Sequence, residues 1–156
     1  MKILGIIGGM SPESTATYYT EINRLVNQKK GGNISAPIVM VSVEFEEIVQ
    51  CQKQSEWQRA GEILAEAGKK LEMIGAEGIV LATNTMHKVA PQIERALSIP
   101  FLHILDATAN AIKSRGLNKV ALLGTKFTMS DNFYRDGLIV RGITPIVPNE
   151  DTQNEI

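Results

Sequence analysis

Three short segments of this sequence combine glycine with hydroxyl and amide side chains, a combination suited to binding a small anion. They are Gly8–Ser11, Thr83–Thr85 and Gly124–Thr128. Each follows an apolar run with the character of a buried strand. Glycine turns and helix N-termini expose backbone N–H groups, which together with hydroxyl side chains can bind a carboxylate or a phosphate. We therefore expect all three segments to line one small-anion site.

The first of these segments matches no nucleotide-binding pattern. Gly5–Gly9 does not fit GxGxxG, and Gly8–Ser11 lacks the lysine of a phosphate-binding loop. A tight turn between a strand and a helix is the simpler interpretation of this segment taken alone.

The hydroxyl and amide residues of the other two segments also have simpler interpretations. Asn84 and Thr85 could serve only to cap a helix, a role that both residue types favour. Thr125 and Thr128 could likewise form a turn and a helix cap. The binding and the capping interpretations stay open for all four residues on this evidence.

The apolar pattern predicts the scaffold that must position these segments. Four apolar runs alternate with helical stretches at intervals that suit right-handed crossovers, which predicts a parallel sheet with helices on both faces. Such a three-layer α/β/α domain binds ligands at the carboxyl ends of its strands. The pattern restarts near Lys119, which predicts the start of a second α/β domain. The expected strands are 3–7, 37–43, 78–82 and 101–105, then 119–125 and 143–147.

Capping residues and periodicity predict where the helices begin and end. Ser11 with Pro12 begins the first helix, and Ser55 with Gln58 resembles a capping box for a later one. Pro91 marks a kink or a break near the start of the helix that follows strand 3. The expected helices are 11–30, 45–53, 55–74, 85–97, 106–115 and 131–139.

The composition excludes several classes of function. The 156 residues carry 16 Lys and Arg against 17 Asp and Glu, so they lack the basic excess of a nucleic-acid-binding domain. No apolar stretch approaches the roughly 20 residues of a membrane helix. Two histidines and one cysteine without HxxxH or CxxC spacing argue against a metal site. Without a signal-peptide pattern, the expected protein is cytoplasmic, with no nucleic-acid or membrane partner.

Taken together, the three segments resemble the aspartate/glutamate racemase family of cofactor-independent amino-acid racemases. The resemblance rests on Gly5–Ser11, on Ala82–His87 and on Leu123–Thr125 with Thr128, in the family's order. It implies two pseudo-symmetric α/β domains with the active site between them. It also implies two catalytic cysteines, of which one removes the Cα proton and the other protonates the opposite face. No cofactor is implied, and a homodimer acting on an acidic amino acid is expected.

The sequence departs from the family pattern at both catalytic positions. Thr83 stands where the first cysteine is expected. A subgroup of the family also carries threonine there, and the resemblance of this chain to that subgroup implies a preference for L-aspartate or L-glutamate. No Gly-Cys-Thr-Glu-like segment with the second cysteine occurs before Ile156, and Cys51 lies outside the motif. We therefore expect a first domain at 1–115, an incomplete second domain at 116–156, and an inactive 156-residue chain. The alternative is a non-catalytic dicarboxylate-binding fragment or degenerate relative.

The resemblance also implies roles for individual residues. Thr83 is the candidate catalytic residue, although a threonine hydroxyl is a far weaker acid than a thiol. Gln52 matches a region that contacts the substrate side chain in relatives, and an exposed loop glutamine is nearly as good an interpretation. We expect the substrate to be bound by Met10, Gln52, Asn84, Thr85, Thr125 and Thr128.

The remaining histidines and the cysteine have structural interpretations. His87 is expected to be solvated or to contact a helix cap rather than to act as a base. His103 is expected to be a structural residue inside strand 4, and Cys51 a passive thiol.

Overall fold

A computed structural model describes residues 1–124 and 126–153 of the chain, with only the backbone of residues 126 and 127. The chain divides into a first unit, Met1–Leu102, and a second unit that begins at His103. The sequence predicts a division after residue 115, whereas the helix at Ile104–Ser114 belongs to the second unit in the structure. The first unit contains β1 (Leu4–Gly8), α1 (Pro12–Lys30), β2 (Ile38–Ser42), α2 (Phe45–Lys53), α3 (Trp57–Met73), β3 (Gly78–Leu81), a 3-10 turn (Thr85–Val89), α4 (Ala90–Ala96) and β4 (Phe101–Leu102).

The four strands of the first unit form one sheet in the order β2-β1-β3-β4. All three neighbouring pairs are parallel, with Ile7 opposite Val41 of β2 and Leu81 of β3. This confirms the predicted parallel α/β fold. Because parallel strands start at the same edge, their carboxyl ends also meet at one edge, where ligands bind in such sheets.

Helix α3 packs against one face of this sheet and buries most of the apolar stripe that helical periodicity predicts, which is formed by Ala60, Ile63, Leu64, Ala67, Leu71 and Ile74. Gly5 of β1 allows the close approach, since a Cβ atom there would lie 2.6 Å from Ile79 and 3.3 Å from Leu71 of α3. Two stripe positions differ, because Ile63 is only half-buried and Ile74 is 59% exposed beyond the helix end. The buried core is formed by Ile7, Met10, Ile48, Cys51, Ala60, Leu64, Ala67, Leu71, Ala76, Ile79, Leu81, Met86, Val89 and Ile93.

The start of α1 agrees with its sequence signals. The Ser11 side chain accepts a hydrogen bond from the Ser14 amide, Pro12 occupies the first helical position, and Gly31 ends the helix with φ 78°. The break predicted at Pro91 also occurs, because the 3-10 turn precedes it and α4 begins at Ala90.

The predicted capping box at Ser55 and Gln58 is wrong. Glu56 occupies the cap position of α3 without a side-chain cap bond, and Ser55 has a left-handed backbone with φ 58°. The turn between α2 and α3 needs this conformation at Ser55, which takes its side chain away from the role that the pattern suggested.

Strand 4 is shorter than predicted, and His103 does not lie in it. The strand ends at Leu102, and His103 caps the next helix by accepting a hydrogen bond from the Leu105 amide at Nδ1, over 3.1 Å. An apolar run followed by a helix-capping side chain reads as a longer strand, because periodicity alone does not separate the two.

The second unit repeats the opening pattern of the first. Strands β5 and β6 pair in parallel, with Val120 opposite Pro145, and helices connect them. The Asp131 side chain caps one helix by accepting from the Phe133 amide, as the sequence predicts. The core of the second unit contains Leu105, Ala109, Leu122, Tyr134, Leu138 and Ile143. The elements are α5 (Ile104–Ser114), β5 (Lys119–Ala121), α6 (Lys126–Ser130), α7 (Asn132–Val140), β6 (Thr144–Ile146) and α8 (Glu150–Gln153).

Candidate active site

The carboxyl ends of β1, β2 and β3 bring the first two chemistry-bearing segments together. The Ala82 amide donates to the Ile7 carbonyl over 2.9 Å, and the Val43 amide donates to the Gly8 carbonyl over 3.0 Å. The glycine turn after β1 therefore lies beside the segment that begins at Thr83. Both segments belong to the first unit, so this adjacency is a property of one sheet edge.

The glycine turn is tightly packed, which explains why glycine is required there. Gly9 has a left-handed φ of 94°, and a Cβ atom on it would lie 2.5 Å from the Val43 carbonyl oxygen. Its amide donates to the hydroxyl of Thr15 over 2.9 Å, and that hydroxyl donates to the Ser11 carbonyl over 2.9 Å. The Gly9 amide is therefore already used inside the protein.

The start of α1 also carries a negative charge of its own. The pKa of the Glu13 carboxyl lies below its usual range, mainly because Ser11 hydrogen-bonds to it and also because its own backbone amide does. An ionised carboxylate in the first helical turn is favoured by the helix dipole but repels a second anion. Because Glu13 is exposed, water and salt screen this repulsion.

Thr83 is held by hydrogen bonds on both of its peptide groups. Its amide donates to the Leu81 carbonyl over 2.9 Å. The Ser14 hydroxyl donates to the Ala82 carbonyl over 2.8 Å, and Nδ1 of His87 lies 2.7 Å from the Thr83 carbonyl oxygen. The half-buried Thr83 side chain thus stands on a backbone that neighbouring elements hold from two sides.

His87 is a buried residue, not a solvated one. Its side chain is 2% exposed, and its ring packs at a tilt against Phe101 with centroids 5.8 Å apart. One polar contact of its ring is with the Thr83 carbonyl oxygen. Of the two interpretations from the sequence, the structure therefore excludes solvation.

Asn84 and Thr85 follow directly at the start of the 3-10 turn. Asn84 has helical backbone angles, and its side chain makes no cap hydrogen bond although it stands at the cap position. Asn84 is exposed and Thr85 is half-buried at this edge. Capping therefore does not account for the Asn84 side chain, which is available for a ligand.

Gln52 approaches the same segment from α2, whereas Met10 lies in the buried core. The Gln52 amide Nε2 of α2 lies 3.0 Å from the Met86 sulfur, next to Thr85 in the chain. Gln52 is therefore half-buried in the fold and not an exposed loop residue. Met10 is 6% exposed and belongs to the buried core, so only its backbone can serve the binding role expected of it.

The two binding residues expected in the second unit are Thr125 and Thr128. Thr128 is 8% exposed in α6, and a Cβ atom on Gly124 would lie 3.1 Å from its Cβ. A threonine thus packs against a glycine near the end of the first strand of each unit, Thr15 against the last residue of β1, Gly8, and Thr128 against Gly124 after β5. Thr125 lies outside the described residues.

Cys51 has the properties of a structural thiol. It is 3% exposed within the core of the first unit. Burial raises the pKa of its thiol, the carboxylates of Glu56 and Glu47 raise it further, and Arg59 opposes them. Because the thiolate is the reactive form, this environment makes Cys51 a poor base.

The described residues include neither a metal-binding cluster nor a membrane-spanning helix. No group of three or more His, Cys, Asp or Glu side chains there could hold a metal ion. Within the same ranges, no helix is both long and apolar enough to cross a membrane.

Ser14, Thr15 and the contact of His87 are the parts of this edge that the sequence did not reveal. Ser14 follows Ser11 by three residues, which is a helix-start signal and gives no hint of a bond to Ala82. Nothing in the local spacing distinguishes a tertiary hydrogen bond over 68 residues from an ordinary helix cap.

Known proteins match this chain along most of its length. A family model described as Asp/Glu/Hydantoin racemase matches residues 7–156. The broad-specificity amino-acid racemase RacX of Bacillus subtilis (strain 168) is 27% identical over 135 residues, which cover 85% of this chain and 59% of RacX. This chain therefore spans less than two thirds of that relative.

Solved structures match more of the chain. A candidate Asp/Glu racemase from Yersinia pestis is 50% identical with a TM-score of 0.96, over 99% of this chain and 67% of that one. An aspartate racemase homologue from Pyrococcus horikoshii OT3 is 38% identical with a TM-score of 0.88, over 99% of this chain and 68% of that one.

Proposed function

This chain belongs to the Asp/Glu/Hydantoin racemase family, and from this premise we propose that its first unit carries half of a racemase site for an acidic amino acid. The observation that carries the proposal is the segment Thr83–Thr85, held at the carboxyl edge of the sheet beside the glycine turn. Thr83 occupies the position of the first acid–base group, and Asn84 and Thr85 bind the substrate's α-carboxylate and amino group.

The chemistry requires a proton to leave one face of Cα and another to arrive on the opposite face. A base removes the Cα proton, the electron pair delocalises into the carboxylate, and an acid on the other side delivers a proton, which inverts the centre. No cofactor is proposed for this step. Thr83 is too weak an acid to serve as an efficient base alone, because a hydroxyl lacks the accessible anionic form of a thiol.

The two faces are therefore chemically unequal in this proposal. Thr83 positions a group or relays a proton on one face, and a thiol from outside these residues acts as the base on the other. Cys51 does not fill that role, because burial raises its pKa and it packs in the core. The L-enantiomers of aspartate and glutamate are the preferred substrates, by resemblance to relatives with threonine at this position.

The alternative is a protein that binds a dicarboxylate without chemistry. The single observation in its favour is that the exposed Asn84 side chain makes no cap hydrogen bond, because holding a carboxylate with such a side chain requires no base. The two functions differ in one measurable property, which is the release of the Cα proton.

Exchange of the Cα proton into deuterated water tests the proposal. It is measured by NMR for L- and D-aspartate and L- and D-glutamate, with the 156-residue chain and with the longest form that its reading frame encodes. We expect exchange in the longer form, faster from the L-enantiomers, and none in the 156-residue chain. Equal exchange from both enantiomers, or full activity of the 156-residue chain, would contradict it.

Binding is followed separately by backbone amide shifts during titration with L-aspartate. We expect shifts at Asn84 and Thr85. Shifts confined to another surface would contradict the assigned site, and binding there without any exchange in the longer form would favour the non-catalytic alternative.

A further inference from the structure

We propose that Ser14 and His87 are positioning residues that fix the peptide groups on both sides of Thr83, an inference that rests on the proposed function of Thr83. Neither side chain needs to touch the substrate. Each acts through a carbonyl oxygen, Ser14 through that of Ala82 and His87 through that of Thr83.

The Ser14 hydroxyl joins the first turn of α1 to the end of β3. It has one proton and two nearby carbonyl acceptors, Ala82 at 2.8 Å and Ser11 at 3.1 Å. The shorter distance favours Ala82, and Ala82 is completely buried, so water does not compete for this bond. The glycine turn and the catalytic segment are thereby held at a constant spacing.

The His87 ring holds the next peptide group along the chain. A carbonyl oxygen can only accept, so Nδ1 of His87 carries the proton in the 2.7 Å contact with Thr83. The ring is 2% exposed and packs against Phe101, which prevents it from turning away. The contact spans four residues, from Thr83, the second residue after β3, to His87 in the middle of the 3-10 turn.

These two bonds act together with the amide of Thr83, which donates to Leu81 over 2.9 Å. Three hydrogen bonds therefore fix the backbone on either side of one side chain. A misplacement of about 1 Å in a reacting group can lower a rate about 100-fold, so the orientation of the Thr83 hydroxyl depends on them.

Substitution of His87 gives the first test. His87→Leu removes the donor, and His87→Asn keeps an N–H donor close to the Nδ1 position. In the longest encoded form, we expect His87→Leu to lower kcat for L-aspartate exchange about 10- to 100-fold with less than about a threefold change in KM, and His87→Asn to recover most of it. His103→Asn, in the second unit, is the control for histidine replacement.

Substitution of Ser14 gives an independent test if His87→Leu fails to fold. Ser14→Ala should lower kcat about tenfold and leave KM nearly unchanged. Thr17→Ala is the matched control, because its hydroxyl also donates to a backbone carbonyl of α1, that of Glu13 over 3.0 Å, on the exposed side of the helix. It should leave kcat unchanged.

A structural readout separates this inference from the proposed function. Amide hydrogen exchange at Thr83 and Asn84 is measured on the 156-residue chain, where no turnover is needed. We expect faster exchange in Ser14→Ala and His87→Leu, and unchanged exchange in His87→Asn and Thr17→Ala. If the unsubstituted longest form released no Cα proton, the proposed function would fail, and these amides would still decide the positioning role.

Two results would overturn the inference. One is a loss of stability in Ser14→Ala and His87→Leu with kcat and the amides of Thr83 and Asn84 unchanged. The other is a loss of activity in His87→Asn equal to that in His87→Leu, because a positioning role requires rescue by the retained donor.

Discussion

The hydroxyl of Thr15 accepts the amide hydrogen of Gly9 over 2.9 Å, inside the turn that links β1 to α1. Both residues are buried, Thr15 with 5% of its surface exposed. The same hydroxyl donates to the Ser11 carbonyl, which also accepts from the Thr15 amide over 3.2 Å, so the group that depends on this side chain for its partner is the Gly9 amide. The shape of the glycine turn thus depends on a residue of the helix behind it.

Thr15→Val tests this dependence. Valine has nearly the same shape but no hydroxyl, so the buried Gly9 amide loses its hydrogen-bond partner, which costs about 1–3 kcal/mol of unfolding free energy. Thr17→Val on the exposed side of α1 should cost less than about 1 kcal/mol. Urea denaturation followed by circular dichroism measures both, and equal losses would show that the buried hydroxyl has no special role.

Gly9→Ala tests the backbone of the same turn. The methyl group would meet the Val43 carbonyl oxygen at 2.5 Å, and φ 94° is unfavourable for alanine. Gly31→Ala is the control, because Gly31 has φ 78° with nothing within 4 Å of the added methyl. We expect Gly31→Ala to cost about 1–2 kcal/mol from backbone strain, and Gly9→Ala to cost at least about 1 kcal/mol more from the contact. Similar losses in the two variants would contradict the close contact.

Two substitutions of Thr83 test its proposed acid–base role. Thr83→Ala should lower turnover of L-aspartate about 100-fold or more, with little change in affinity, because Asn84 and Thr85 still hold the substrate. Thr83→Cys introduces a group with a pKa of about 8.5 and should make exchange from the L- and D-enantiomers more nearly equal. Exchange assays on the longest encoded form measure both effects. A Thr83→Ala protein with unchanged turnover would remove Thr83 from the mechanism.

His103 should make the stability of the second unit pH-dependent. Burial lowers the pKa of His103 below its usual value of about 6.5, the Arg141 guanidinium lowers it further, and Asp106 opposes them. The unfolded chain therefore binds a proton at His103 more readily than the folded chain does. The contribution of neutral His103 to the free energy of unfolding is complete above the unfolded pKa of about 6.5, and it is lost as the pH falls below that value through the folded pKa. Protonation at Nδ1 also removes the acceptor for the Leu105 amide.

Denaturation curves between pH 5 and pH 8, a range set by the pKa of histidine at about 6.5, measure this dependence. His103→Asn keeps a cap acceptor and has no titration, so its loss of stability below about pH 6.5 should be smaller than that of the unsubstituted chain. Parallel curves for the two proteins would assign the pH dependence to other groups.

An apolar hollow of about 330 Å³ lies between α1 and β2. It is the surface at which we expect the homodimer that the sequence predicts to form. Tyr19 and Met40 line it and are 50% and 47% exposed. Exposed apolar surface of this kind favours contact with another protein surface, and we expect that surface to be a second copy of this chain. Met40→Glu should shift light-scattering mass toward the monomer, and Met73→Glu, at an 84% exposed position on α3, should not. A monomeric unsubstituted chain would contradict the expectation.

Local sequence signals predicted most of the fold because each depends on neighbouring residues. The apolar run that ends at Gly8 and the cap at Ser11 both occur where the sequence indicates, since burial and capping act over a few residues. His103 was misassigned because a capping side chain directly after an apolar run resembles a longer strand. Ser55 was misassigned because the turn before α3 requires a left-handed backbone that a capping pattern does not show.

The candidate site likewise contains some features that the sequence predicts and others that depend on tertiary packing. Thr83 and Asn84 are candidates because of the order of the motifs along the chain, and β1–β3 pairing puts their segment beside the glycine turn. The bonds of Ser14 and His87 to this segment could not be predicted, because they depend on how α1 and the 3-10 turn pack around a strand end.

The position of helix α5 determines where this protein can be dissected. Leu105 and Ala109 of that helix are buried with Tyr134, Leu138 and Ile143 in the second unit, whereas the first unit ends at Leu102. Separate expression of the two halves therefore requires a cut between Leu102 and His103. A cut after residue 115 would remove Leu105 and Ala109 from the core that they share with Tyr134, Leu138 and Ile143, so the downstream product would lose buried apolar surface.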